Sequence, residues 1–232
     1  TEKARRIFNK VNRYAKPTSP STNILTSEDD GIFIITRCIA ELDDPEKFDS
    51  FTVPPIPREF SNGGLVTQLE GSTIKKGSKH LFTLEFLSKS VDAMCRATNQ
   101  PALNEAATIV RPEDEVLKQG YEVCAAWWHN LIEEFKPFSY AFEYPDDISL
   151  CREHNFEYSL AFRPNGQEAL LRGLMSAHQL SGLDASILID RLNRIPLWFA
   201  HDMWTGVLLG VGEARRRVMN FTPLAADLVT YM

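Results

Sequence analysis

The sequence predicts a mainly α-helical protein with a few short β-strands, an α+β class, on three observations. Apolar residues recur three and four positions apart through most of the chain, which is the spacing of one helix face. Serine, threonine or proline stands where several of these stretches begin, as is common at helix starts. Only brief segments alternate in hydrophobicity or follow paired glycines in the manner of strands.

In the first half of the chain, prolines and hydroxyl residues predict where the elements begin and end. An opening helix that starts near Ala4 is expected to end at Pro17 and Pro20, because proline lacks the backbone donor and restricts the residue before it. Thr26 or Ser27 is expected to cap the next helix. The other predicted segments are a proline-rich acidic linker over 43–62, a short strand over 65–69 and a helix over 82–97.

In the second half, proline again predicts helix starts. Pro112 suits the first position of a long helix that is expected to reach about Phe135, and Thr222-Pro223 suits the start of the last helix. Adjacent Trp127 and Trp128 point in different directions on a helix, so one is expected in the core and the other towards a second element. The remaining predicted segments are strands over 140–144 and 158–162 and helices over 167–180, 183–195 and 224–231.

Composition favours a globular protein. The chain has 232 residues, of which 44% are hydrophobic and 24% charged, and this length can bury a sizeable core. No apolar run approaches the roughly 20 residues that cross a bilayer, and no leader precedes the first helix, so a cytoplasmic location without membrane contact is expected. The four cysteines are far apart in apolar surroundings, which predicts buried thiols. They are Cys38, Cys95, Cys124 and Cys151.

The opening segment from Ile7 to Ser19 resembles the segment that follows the DGQHR box in the DGQHR-domain family, which includes the DndB-like DNA sulfur-modification (phosphorothioation) proteins. Later stretches resemble the same family in the same order, so the resemblance extends over nearly the whole chain although each motif is loose. These stretches are 29–37, 78–84, 162–170, 204–207 and 220–231.

The DGQHR box itself is missing, and the chain begins at Thr1 inside a predicted helix. We therefore expect it to be the C-terminal part of a longer protein whose upstream half the resemblance describes as ParB-like or sulfiredoxin-like. On this interpretation residues 1–62 are the end of that upstream domain with a linker, and residues 63–232 are a mostly helical C-terminal domain.

The resemblance implies DNA and other DNA-modification proteins as partners, whereas the net charge of −6 requires any DNA contact to be local. Basic side chains cluster in three segments, and phosphate contacts from lysine, arginine and hydroxyl groups carry no base specificity. The candidate DNA- or phosphate-binding residues are Asn12, Arg13, Lys16, Thr18, Ser19, Lys75, Lys76, Lys79, Arg215 and Arg216. The arginine run 215–217 is expected to lie on the surface.

The sequence contains no complete motif for catalysis, cofactor binding or metal binding. The pair Gly210 and Gly212 lacks the third glycine of a dinucleotide fingerprint, and no phosphate-cradling loop is present. Cys124 and His129 face different directions on one helix, and His201-Asp202 lacks further ligands at metal-binding spacing. We therefore predict no catalytic residues, no metal site and no cofactor in this chain.

Two alternatives to an accessory DNA-binding protein remain open. In the first, the full-length protein is a nucleotide hydrolase, a ParB-like ATPase of a 7-deazaguanine DNA-modification system, and Asn12 and Arg13 complete a nucleotide site made by the absent box. In the second, the chain is a scaffold without ligand chemistry in which the tryptophans and the final helix mediate assembly. Homo-oligomer formation also stays open.

Overall fold

The computed structural model describes residues 19–40, 67–75, 77–100, 110–153, 156–198, 201–210 and 222–232. Within these ranges the protein is mainly helical, as the sequence predicts. The helices are α1 (Pro20–Thr26), α2 (Gly31–Ile39), α3 (Leu84–Ala97), α4 (Asp114–Glu134), α5 (Lys136–Glu143), α6 (Pro164–Ser181), α7 (Ala185–Leu192) and α8 (Thr222–Thr230), and the strands are β1 (Thr67–Gln68) and β2 (Phe82–Thr83).

The two short strands pair in parallel, with Thr67 opposite Phe82 and Gln68 opposite Thr83. β1 lies inside the strand predicted over 65–69. The helix predicted from residue 82 begins two residues later, because Thr83 takes an extended conformation and caps α3. Its hydroxyl oxygen accepts a hydrogen bond from the Phe86 amide at 3.1 Å.

An aromatic cluster at the centre of the core joins β2, α4 and α5. Trp128 is fully buried, and its ring centroid lies 5.3 Å from that of Phe82. Phe138 of α5 meets the Phe82 ring edge-on at 5.1 Å. Trp127 is also buried and packs against His178 of α6, so both tryptophans are in the interior and Trp127 faces the second element.

α1 and α2 pack onto α3. Arg37 of α2 is buried, and its guanidinium donates to the carbonyl oxygens of Ile24 at 2.8 Å and Ser27 at 2.7 Å. These acceptors lie at the C-terminal end of α1, where helix carbonyls lack partners within the helix. Arg37 therefore fixes the angle between the two helices, and Ile35 and Ile39 complete the buried face of α2.

The strands predicted over 140–144 and 158–162 are wrong. Tyr140 lies in α5, and the Tyr144 amide closes that helix by donating to the Tyr140 carbonyl at 2.8 Å. The Tyr140 and Tyr144 rings lie on one side of the helix, with centroids 4.8 Å apart. The hydrophobic alternation that suggested a strand here therefore comes from residues four apart on a helix face. Residues 158–162 form consecutive turns, in which the Ala161 amide donates to the Tyr158 carbonyl.

α6 starts at Pro164, three residues before the predicted start at 167, and its first turn passes very close to the preceding turns. A Cβ placed on Gly166 would lie 2.1 Å from the Leu160 carbonyl oxygen, which only a glycine avoids. Further along α6, a Cβ on Gly173 would lie 2.5 Å from the Cβ of Val229 in α8. Two glycines thus permit the close approaches that place α6 against its neighbours.

Candidate phosphate-binding surface

Three of the ten candidate phosphate-binding residues lie within the described ranges: Ser19, Lys75 and Lys79. The other seven, Asn12, Arg13, Lys16, Thr18, Lys76, Arg215 and Arg216, lie outside the described residues, and so does Arg217. The surface is therefore built here from the part of the chain around those three side chains.

Ser19 caps a helix that includes Ser21, so the expectation from the sequence that Thr18, Ser19 and Ser21 form a hydroxyl-rich loop is wrong for Ser21, whereas the opening helix expected before Pro17 lies outside the described residues. Pro20 is the first residue of α1, a position where the missing amide of proline costs nothing. The Ser19 hydroxyl oxygen accepts from the Thr22 amide at 3.1 Å and lies 2.8 Å from the Thr22 hydroxyl. The Ser19 side chain is thus engaged in capping while it remains exposed.

Ser21 is buried and links α1 to two other parts of the chain. Its hydroxyl donates to Oε1 of Glu85 at 3.1 Å and accepts from the Gly71 amide at 3.3 Å. Gly71 has a positive φ of 81°, and Gln68 closes the turn around it by donating to the carbonyls of Glu70 and Thr73. The start of α1 and the loop that carries Lys75 are therefore neighbours in space.

Lys75 lies at the exposed side of this loop. Its carbonyl accepts from the Ser78 amide at 3.0 Å, which closes a turn with Gly77 at the position of positive φ, 80°. Type II turns require such a residue at this place. The turn presents Lys75 on the surface and leads directly to Lys79.

Lys79 forms an ion pair with Asp146, which follows α5. Its Nζ lies 2.5 Å from Oδ1 of Asp146, and the two side chains are 62% and 86% exposed. The hydrogen bond from Lys79, together with its charge, lowers the pKa of the Asp146 carboxyl. Exposed pairs of this kind contribute little to stability because water screens both charges, so Lys79 can exchange Asp146 for another anion.

Arg152 anchors the segment on both sides of Lys79, and nothing in the sequence indicated this. Its guanidinium donates to the carbonyl oxygens of Ser78 and His80, and its Nε donates to the Phe162 carbonyl at 3.1 Å. Arg163 donates in turn to the Arg152 carbonyl at 2.6 Å. Burial lowers the pKa of Arg152 to about 10, so the side chain is still charged near neutral pH.

Ser78 and His80 are also joined directly. The Ser78 hydroxyl oxygen lies 2.9 Å from Nδ1 of His80 and accepts from the His80 amide at 3.2 Å. Because that amide uses the oxygen as an acceptor, the hydroxyl proton is available to donate to Nδ1 when Nδ1 is unprotonated. This local bond and the Arg152 guanidinium together fix the backbone from which Lys79 projects.

Other kinds of site find no support in the ranges covered by the structure. No group of three or more histidine, cysteine, aspartate or glutamate side chains is placed to hold a metal ion among them. The cavity between α3, α4, α5, α6 and α7 measures about 10 Å³, which is room for no more than a water molecule. None of the helices described has the length and apolar character needed to cross a membrane.

Comparisons with family models, with curated proteins and with solved structures find no match to this chain. The resemblance to the DGQHR-domain family therefore stays a prediction from the motifs in the sequence. The arrangement of Ser21, Gly71, Lys75 and Lys79 is the geometry on which a functional proposal can be built.

Proposed function

We propose that this chain is an accessory or regulatory DNA-binding protein of a bacterial DNA-modification system of the phosphorothioation type. It contacts DNA through the phosphate backbone, acts in the cytoplasm, and belongs to the C-terminal part of a DGQHR-domain protein. Any choice of DNA sequence is made elsewhere in the system, because lysine and hydroxyl contacts to phosphate position a protein without reading bases.

The contact between Ser21 and Gly71 is the observation that carries this proposal. It joins two segments that are 50 residues apart in sequence, with a hydrogen bond of 3.3 Å. One segment is the start of α1 at Pro20, four positions after Lys16 in the sequence. The other is the loop that bears Lys75. The described start of α1 and the loop that bears Lys75 are therefore neighbours, and we infer that the basic residues preceding α1 in the chain act on the same ligand as Lys75.

The charge and the exposure of the lysines in this loop are consistent with a local contact to DNA phosphate. Lys75 and Lys79 are both exposed, and their loop is held by the partly buried Arg152 guanidinium. A phosphate would compete with Asp146 for Lys79, and release of condensed counterions from DNA would favour the exchange. The overall charge of −6 keeps the contact confined to this surface and makes binding weak at high salt.

The test is the double variant Arg13→Ala/Lys16→Ala in the full protein, with Lys118→Ala/Lys136→Ala as the charge-matched control. Binding to duplexes of several sequences should weaken about equally, and the slope of log K against log salt should flatten by up to about two units, roughly 0.9 per phosphate contact. The control should bind as the parent protein does.

Two other outcomes contradict the proposal. Unchanged DNA affinity with lost nucleotide binding would assign Arg13 to the nucleotide site of a hydrolase. Unchanged affinity for both ligands would leave the scaffold as the remaining function.

A further inference from the structure

Two cysteines from different helices face one another in the core. Cys95 lies in the last turn of α3 and Cys124 near the middle of α4, and their Sγ atoms are 3.7 Å apart. Both side chains are buried, at 1% and 0% exposure. They are 29 positions apart in sequence, so a bond between them would close a long loop.

We propose that Cys95 and Cys124 are an oxidative modification site, at which a small two-electron oxidant of the peroxide class forms a disulfide between α3 and α4. In the first step one thiolate sulfur attacks a peroxide oxygen, which breaks the O–O bond, gives a sulfenic acid and releases water after proton transfer. In the second step the other sulfur attacks the sulfenic sulfur, which forms the S–S bond and releases a second water molecule. The two sulfurs together lose two electrons and the peroxide gains them.

The distance between the sulfurs suits this bond. A disulfide is about 2.05 Å long, so the two atoms must approach by about 1.7 Å. Modest rotation about the two Cα–Cβ bonds moves the sulfurs by that amount, because each sulfur is offset from its rotation axis.

The positions of the two residues predict which sulfur reacts first. Helix ends fray more readily than helix centres, and Cys95 is close to Thr98, the C-terminal cap of α3. The hydrogen bond with Cys95 and complete burial raise the pKa of the Cys124 thiol well above its ordinary value. Cys95 is therefore the residue that meets the oxidant when the end of α3 opens, and Cys124 then resolves the sulfenic acid.

Peroxide treatment of the native protein, followed by alkylation of the remaining thiols and peptide mass mapping, tests the proposal. We expect a disulfide between the peptides that contain Cys95 and Cys124, loss of two of the four free thiols, a higher Tm, and full reversal by a dithiol reductant. Cys151→Ser is the matched control and should give the same disulfide, since that buried thiol is not part of the pair.

The Cys124→Ser variant separates the two steps. It should accumulate a sulfenic acid at Cys95 that a dimedone reagent captures, whereas Cys95→Ser should leave Cys124 largely unmodified. Peptide mass mapping of the oxidised wild-type protein tests the proposal even if one of the variants folds poorly. Four free thiols after a treatment that fully oxidises the denatured chain, or a disulfide in another pairing, would overturn it.

Discussion

Lys79 and Asp146 form an ion pair at 2.5 Å between the loop after Gly77 and the turn that follows α5. The two residues are 67 positions apart, and each side chain remains well exposed. In the proposed function this carboxylate is a competitor of DNA phosphate for the same ammonium group. Asp146 should therefore weaken DNA binding in the natural protein.

The first prediction follows from this competition. Asp146→Asn should tighten binding to duplex DNA and steepen its salt dependence by up to about 0.9 units, because Lys79 then has one competing anion fewer. Fluorescence anisotropy with a labelled duplex at several salt concentrations measures both quantities. Asp190→Asn is the control, since Asp190 is also an exposed aspartate in an ion pair, with Arg194. Equal affinities for Asp146→Asn and Asp190→Asn would argue against competition.

The second prediction concerns Arg152. Arg152→Ala should lower the free energy of unfolding by about 3 kcal/mol, because three backbone carbonyls lose a charged donor at a site with restricted access to water. Arg152→Lys should recover little of this loss, since an ammonium group lacks the planar fork that serves several acceptors. Urea denaturation followed by circular dichroism provides the measurement.

Arg172→Ala is the matched control for Arg152. Arg172 is half-exposed and pairs with Glu168 across one helix turn, so its removal should change stability by less than about 0.5 kcal/mol. An Arg152→Ala protein as stable as Arg172→Ala would show that the three carbonyls do not depend on this guanidinium.

The third prediction concerns Gly166. Gly166→Ala should destabilise the protein by about 3 kcal/mol, because the added Cβ meets the Leu160 carbonyl oxygen and the start of α6 must move. Gly182→Ala is the comparison, since that Cβ would meet nothing within 4 Å and only the positive φ of 65° opposes it. Its cost should be about 1–2 kcal/mol. Thermal unfolding of both variants distinguishes the two causes, and a smaller loss for Gly166→Ala than for Gly182→Ala would contradict this account.

The fourth prediction is a pH dependence at Asp30, the N-cap of α2. Burial raises the pKa of this carboxyl, although its hydrogen bond from the Phe33 amide at 3.2 Å opposes the shift. A raised folded-state pKa means that the contribution to stability is full below the unfolded-state pKa and is lost as pH rises through the folded-state pKa. Asp30→Asn keeps a capping oxygen and cannot ionise.

The stability of Asp30→Asn relative to the parent protein should therefore increase as the pH is raised from about 3 to about 7. Asp30→Ala, which loses the cap, should be less stable by about 1 kcal/mol. Chemical denaturation across this pH range gives the comparison. A relative stability of the asparagine variant that falls with pH would have the wrong sign.

The sequence predicts the elements whose signals are local. The helix predicted over 167–180 is present as α6, although it begins three residues earlier at Pro164, and the apolar spacing around Trp128 predicts α4. The start of α1 at Pro20 is not predicted, because proline is typical both of the residues that follow a helix and of the first helical position. Tyr140 and Tyr144 suggest alternation, yet the same spacing of four residues defines one side of α5.

In the candidate phosphate-binding surface, too, only the features with local sequence signals can be predicted. Lysines in a glycine-bracketed turn are visible in the sequence, and Lys75 lies on the surface as that pattern suggests. The partners of this loop are not visible, because Ser21, Asp146 and Arg152 reach it from 50 or more positions away. A single sequence carries no local signal for contacts of that range.

The most direct test of the DNA-binding claim is the salt dependence of duplex binding by Lys75→Ala/Lys79→Ala, measured beside Lys118→Ala/Lys136→Ala. Both double variants remove two lysine charges, and only the first removes them from the candidate surface. The account predicts weaker binding to every sequence for Lys75→Ala/Lys79→Ala, with a slope of log K against log salt reduced by about two units. Parent-like affinity and slope for that variant, or an equal loss in both double variants, would contradict it.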